Sequence, residues 1–327
     1  MEEIKSFAPI VLFVYNRPAH SLKTLEALNL NDYAADSKLY IYADGPKAQS
    51  TPETVKAIEE TRKVIKQKQW CKEVVIIEAE VNKGLADSIV EGVSRVVNEH
   101  GKVIVLEDDI VTTKGFLKYM NDALTVYEQE EKVMHISGYL YPAKINDEQK
   151  GDTFFINTFS CWGWATWARA WKFYNPNVDD HLSKLNYRAA IKKFNIEGHA
   201  DYYNQLVLNK KKTIYTWAVK WYASWLFQNG FSLFPRKSLV LNIGYDNSGV
   251  HSAGKDIYVN EIADYIEVKK QPIVENFVAR KAIDTFYHEN NPLVKTALFN
   301  FKIKIIVFLK KAGIFYKLRD IYRKLSK

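Results

Sequence analysis

The stretch Lys102-Val103-Ile104-Val105-Leu106-Glu107-Asp108-Asp109 joins a run of aliphatic residues to three consecutive acids. A run that is apolar at every position, rather than alternately, describes a strand covered on both faces, as in a mostly parallel α/β sheet. Sheets of this kind bind ligands outside the carboxyl ends of their strands. Three adjacent carboxylates repel one another unless a cation sits among them. Hard oxygen ligands suit Mg²⁺ or Mn²⁺, which in turn bind phosphate oxygens. Alone, the three acids would better suit a solvated turn, so the other strand ends decide.

Those ends follow one pattern. An apolar strand over 9–14 ends in Tyr15-Asn16-Arg17-Pro18, and 21–28 reads as a helix with Ser21 as a plausible N-cap. A second strand, Lys38–Ala43, ends at Asp44-Gly45-Pro46, and Thr51-Pro52-Glu53 opens a helix to about Gln69. A third, Glu73–Glu78, leads through Asn82-Lys83-Gly84 into a helix over 85–98, whose Ile89, Val93, Val96 and Val97 share a face. A helix over 115–130 and a strand at Val133–Ser137 follow the acidic run. Strands alternating with helices imply a doubly wound, largely parallel, Rossmann-like sheet.

Near Pro142 the alternation stops and aromatic residues crowd in, first over 154–174 and again over 215–227; a further change comes at Asn290-Asn291-Pro292. The chain therefore reads as an α/β half (1–141), an aromatic-rich half of the same domain (142–290) and a basic amphipathic tail (291–327).

Composition narrows the function classes. At 327 residues with 47% hydrophobic and 26% charged residues, the chain can bury a large core. Its two cysteines, Cys71 and Cys161, have no metal-ligand spacing and give no disulfide framework, which fits a reducing cytosol. The acidic start Met1-Glu2-Glu3 is unlike a signal peptide, and the apolar run after it is too short to span a bilayer. The net charge of +8 sits in the tail, where 299–327 sets nine Lys or Arg residues against Asp320 alone. With the remainder close to neutral, nucleic acid is not an expected partner.

Arg17, Asp44, Lys83 with Asp87, and Glu107-Asp108-Asp109 should thus meet on one sheet edge. A nucleotide diphosphate sugar needs acceptors for its base and ribose, a cation against its phosphates and groups for its sugar, and this edge offers each. The chain has no G-x-G-x-x-G after the first strand and no P-loop, so metal would have to hold the phosphates.

On these residues the chain resembles GT-A-fold bacterial glycosyltransferases of the family 2-like sugar transferases, similar to the N-acetylglucosaminyltransferase that initiates complex N-glycans. The resemblance covers about 9–252. It implies that Asp109 binds the metal while Asp108 and Glu107 contact ribose and donor sugar. It also places Arg17 and Asp44 near uridine. Phe159-Ser160-Cys161-Trp162-Gly163-Trp164 is similar to the family's aromatic stretch beside the donor sugar, with Cys161 where the family has Gly; Gly163 and Trp164 are the matching donor residues. Residues 242–252, ending Gly249-Val250-His251-Ser252, resemble a loop that closes over the diphosphate, with His251 against phosphate or metal.

One departure stands out. The family's catalytic acid lies between tryptophans, whereas Trp217-Ala218-Val219-Lys220-Trp221 contains none. An inverting transfer needs a base to deprotonate the attacking hydroxyl. Asp246 and Asp201 are the candidates, and Trp162 and Trp217 are the rings expected to stack on the acceptor.

The expected activity is a metal-dependent inverting transfer of a sugar from a nucleotide diphosphate, UDP by resemblance, to a glycan or lipid-linked acceptor in surface polysaccharide synthesis. The tail suits an anionic membrane surface, which would place the enzyme in the cytoplasm, peripheral to the inner face of the cell membrane. A packed, solvated helix would have the same composition. The rival readings are a sugar-phosphate nucleotidyltransferase, which lacks support because Tyr15-Asn16-Arg17-Pro18 is no triphosphate-gripping loop, and a non-catalytic sugar-nucleotide or glycan-binding protein.

Overall fold

The computed structural model describes residues 6–146, 151–246 and 257–290. Three βα steps and a fourth strand open the chain: β1 (Ile10–Val14), α1 (Pro18–Asn29), β2 (Lys38–Ala43), α2 (Pro52–Ile65), β3 (Glu73–Glu78), α3 (Leu85–His100) and β4 (Lys102–Glu107). Then come β5 (Ile110–Thr112), α4 (Phe116–Val126), β6 (Val133–Ser137), β7 (Thr153–Ile156), β8 (Trp164–Trp167) and the short α5 (Ala168–Trp171). The rest is helical apart from a late pair of strands: α6 (Val178–Lys184), α7 (Arg188–Phe194), α8 (Tyr202–Lys210), α9 (Ala218–Leu226), β9 (Phe231–Pro235), β10 (Val240–Asn242) and α10 (Phe277–Asn290).

Eight strands form one sheet in the order β3-β2-β1-β4-β8-β6-β9-β7, and β10 pairs with β5 beside it. The first four strands are mutually parallel; β8 runs antiparallel between β4 and β6, and β7 runs antiparallel to β9. The expected doubly wound, mostly parallel sheet is present. Three of its strands come from beyond residue 141, so the sheet runs unbroken through that point.

Local chemistry explains the element ends. Pro18 and Pro52 open α1 and α2, where a missing N–H is no loss, and the Thr51 hydroxyl accepts from the Thr54 N–H at 3.3 Å. Gly101 closes α3 in the left-handed conformation (φ 78°), where a side chain would be strained, and the chain turns at once into β4. α3 buries Ile89, Val93, Val96 and Val97 against the sheet, the face expected from their spacing.

The aromatic segments are mostly core. Trp164, Trp221, Tyr222 and Trp225 have no exposed surface, and His135 is stacked between Trp164 and Trp225 (ring centroids 5.3 and 6.4 Å). His135 bonds to the Ser160 carbonyl and accepts from the Trp221 indole at 3.2 Å, and burial lowers its pKa to about 3, so it stays neutral. Among the described residues no helix is long and apolar enough to cross a membrane.

β4 lies between β1 and β8 with Val103 to Leu106 wholly buried, so trimming it should leave a cavity that cannot collapse. Leu106→Ala is expected to lower the unfolding free energy by about 2–5 kcal/mol in urea titration. A loss below about 1 kcal/mol would place Leu106 outside a close-packed core.

Candidate active site

In the order β3-β2-β1-β4 the crossovers leave β1 in opposite directions, so the β1/β4 boundary is the topological switch point, where open α/β sheets have a crevice at their carboxyl edge. The register puts Phe13 opposite Glu107, which brings the residues after β1 and β4 side by side. Arg17 and the acidic run meet there. The Arg17 Nη1 lies 2.9 Å from Asp109 Oδ2 and 3.7 Å from Asp108 Oδ1. From α1, the Thr24 hydroxyl donates to the Asp108 carbonyl at 2.8 Å and fixes the turn.

β10 closes the other side. The Ile243 N–H donates to the Asp109 carbonyl (2.9 Å), and the Gly244 N–H donates to the Asn242 side chain (2.7 Å). A Cβ on Gly244 would collide with the Asp109 carboxylate in its present position, so a larger residue here would push that carboxylate aside. Asp246 follows, its carboxylate 3.1 Å from His20 Nε2, which also lies 3.3 Å from the Ile243 carbonyl. His20 stands one turn after Arg17 and shares its face of α1. That i, i+3 spacing was the only sign of it in the sequence; Asn242 and Gly244 open the stretch 242–252 expected to close over the diphosphate, and their contact with Asp109 had no separate sign.

One guanidinium faces three carboxylates in a desolvated crevice. Burial, then Asp109 and Asp108, hold the Glu107 carboxyl well above the usual range, against the pull of Arg17. Burial and Asp109 likewise push Asp108 up to about 7, opposed by Arg17 and by the Tyr15 N–H. The Cys161 thiol is pushed up by burial first and then by Glu107, which places the Phe159-to-Trp164 stretch beside the acids.

The excess negative charge fits a cation. Among the described residues no group of three His, Cys, Asp or Glu side chains could hold a metal on protein ligands alone. Asp109 with the oxygens of a diphosphate does fit, because Mg²⁺-like ions take one or two carboxylates plus phosphates and water.

The remaining expected residues scatter. Both oxygens of Asp44 are engaged locally, by the N–H groups of Gly45, Lys83 and Gly84 and by the Asn82 amide, so it ties the end of β2 to the loop before α3. The Lys83 ammonium turns to Glu91 on α3 at 2.6 Å. Asp87, in the first turn of α3, accepts from the Tyr215 hydroxyl. Asp201 bonds the Asn204 amide at 3.1 Å and has no contact with the acidic run. Gly163 adopts φ 60° and packs between Val240 and Phe116, with its carbonyl taking the Gly138 N–H at 2.7 Å. His251 lies outside the described residues, as does most of the expected closing loop.

Two expectations need correction. Trp164 is fully buried in β8, and Trp217 is 4% exposed and stacked on it at 5.2 Å. The hydrophobic gain of burying two indoles against each other outweighs leaving either face for a sugar. Trp162 is only partly buried, edge-on to Tyr139, Tyr245 and Tyr258, and keeps some surface.

No family model matches the sequence, and no curated protein matches it. Similar solved structures include TarS of S. aureus (TM-score 0.36, 16% identity), where 73% of this chain aligns with 37% of that one. Mouse xyloside xylosyltransferase 1 gives 0.36 and 10% identity over 68% of this chain and 81% of its own. The galactosyltransferase LgtC gives 0.34 and 9% over 67% and 70%. This chain thus spans about a third of the length of TarS. Likeness at these scores carries no argument about activity.

The charge imbalance has a pH signature. The folded state binds the Asp108 proton more tightly than the unfolded chain, where 3.8 applies, so this contribution to stability is complete below about pH 4 and lost as pH rises through about 7. In metal-free buffer, Asp108→Asn should therefore gain stability relative to the parent chain across that interval. Urea titrations at a series of pH values check it; a difference that stays flat or reverses sign contradicts the desolvated site.

Proposed function

We propose that this chain is a glycosyltransferase that takes a sugar from a nucleotide diphosphate donor bound at the β1/β4 switch point. The reading rests on one observation: Asp108 and Asp109 meet Arg17 at that point, with Gly244 pressed against Asp109. A cation-poor cluster of carboxylates in a crevice matches a ligand that brings metal and phosphate together.

Asp109 would hold Mn²⁺ or Mg²⁺, with His251 as a further contact by resemblance. Such an ion, when bound, supplies positive charge against the departing diphosphate. Arg17, released from Asp109, is placed to bond a phosphate oxygen through its planar fork. Asp108 and Glu107 would accept from ribose and sugar hydroxyls, Asp44 and Lys83 would border the nucleoside side, and Gly163 would allow close approach. Asp246 is the better candidate base than Asp201, because it stands beside the site and His20 can orient its carboxylate while the acceptor hydroxyl loses its proton.

UDP as the donor nucleotide, a glycan or lipid-linked acceptor in surface polysaccharide synthesis, and the likeness to N-acetylglucosaminyltransferase belong to this proposal. A second reading, a sugar-nucleotide-binding protein without turnover, draws on the stretch Trp217-Ala218-Val219-Lys220-Trp221, which holds no acid where the resemblance leads one to expect one. Release of free sugar or transfer from a panel of UDP-sugars separates the two. Asp109→Asn removes a charged ligand at constant volume. It should weaken Mn²⁺-dependent UDP binding at least tenfold in calorimetry and abolish turnover with the melting temperature nearly unchanged; parent-like affinity would remove the metal role.

The tail completes the proposal. Each Lys or Arg near an anionic membrane surface contributes on the order of 1 kcal/mol, so half of those in 299–327 would suffice to hold the enzyme there. Residues 291–327 lie outside the described residues. Truncation after Pro292 should abolish co-sedimentation with anionic liposomes, and binding by the full chain should fall with salt. Equal binding by both forms would end the membrane assignment.

A further inference from the structure

Lys220 is placed against three ordinary preferences. It is 4% exposed, it sits in the first turn of α9, where the helix dipole disfavours positive charge, and among the described residues no oxygen accepts a hydrogen bond from its ammonium. Burial lowers its pKa, and Asp87 is the charge that opposes this. Its Nζ lies 4.5 Å from the centroid of the Tyr215 ring. Tyr215 is 66% exposed, although its hydroxyl is anchored on Asp87. The Tyr174 phenol is the neighbour of both, raised by burial and then by Tyr215 and Asp87. Asp87 opens α3, so the group stands at the carboxyl edge of the sheet, on the same edge as Asp109.

An exposed ring held at its hydroxyl end and backed by a cation is stiff, and its outer face is open. Beside it are a carboxylate that accepts and an ammonium with unused donors. Lys220 and Asp87 cancel in charge, so the group does not select an anion. What it matches is an uncharged polyol with an apolar face, since the C–H face of a pyranose packs on an aromatic ring while its hydroxyls both donate and accept. We infer that Tyr215, Asp87 and Lys220 form a pyranose-binding subsite for the acceptor, with the stacking role that the sequence had suggested for Trp217. This rests on the glycosyltransferase reading, because a transferase needs a second saccharide site near its donor.

The test uses the full chain and a panel of methyl pyranosides (gluco, galacto, manno and N-acetylglucosamine forms), with saturation-transfer NMR for the glycosides and calorimetry for UDP with Mn²⁺. At least one glycoside should bind the parent chain. Tyr215→Ala should weaken that binding at least tenfold, Tyr215→Phe only a few-fold because the ring remains, and Lys220→Met several-fold, with UDP affinity in all three within twofold of the parent. If no glycoside binds the parent, or if Tyr215→Ala binds as the parent does, the subsite is wrong. Loss of UDP binding by the parent itself would instead overturn the donor reading, and the glycoside titration still decides the subsite.

Discussion

The interaction on which the rest depends is the one between Arg17 and the acids at the end of β4. Glu107, Asp108 and Asp109 are held together by the strand and its turn, and Arg17 bonds one of them at 2.9 Å and lies 3.7 Å from the next. One guanidinium cannot balance three partly buried carboxylates. The raised proton affinities of Glu107 and Asp108 express that deficit, which the proposed ligand, a divalent cation with an oxygen-rich anion, would relieve. Arg17 is the counter-ion of this ligand-free state, and in the proposed complex it would turn to phosphate once the acids are otherwise neutralised.

The fold supplies the enclosure. Parallel pairing sets β1 and β4 adjacent with their carboxyl ends at the same level, and the helices that follow β1 and β3 present Arg17, His20 and Asp87 to that edge. β10 then returns along β5 and brings the stretch from Asn242 against the acids, a long-range contact in which Gly244 leaves room for the Asp109 carboxylate. The aromatic half supplies rigidity: indoles stacked around the buried, neutral His135 fix β8 and α9, and from α9 Lys220 reaches Tyr215.

Much of this was legible because it is local. Val103 to Leu106, apolar at every position, specify a covered strand, and Pro18, Pro52 and Gly101 punctuate the helices where backbone chemistry requires them. The carboxyl-edge convergence of Arg17 with Asp108 and Asp109 follows from the βα alternation. What was not legible depends on contacts distant in sequence. Trp164 and Trp217 read as cleft residues, but whether an indole faces solvent or another indole is decided by tertiary packing, and here they bury each other. Asp44 and Lys83 carried chemistry suited to a ligand, yet the Asp44 carboxylate binds the backbone of the loop before α3, about forty residues on, and the Lys83 ammonium turns to Glu91 on α3. His20 and Gly244 acquire meaning only once β10 lies beside β4, and Tyr215 only once its loop meets α3.

The central claim is that the crevice at the ends of β1 and β4 binds a cation and a nucleotide diphosphate together. A crystal grown with UDP and Mn²⁺ tests it most directly, since anomalous scattering locates manganese without ambiguity. The account predicts manganese at the Asp109 carboxylate with UDP beside it in the crevice, and Arg17 moved from Asp109 to a phosphate oxygen. UDP bound with Arg17 still on Asp109 and no manganese in the crevice, or manganese and UDP lodged elsewhere on the molecule, would contradict it.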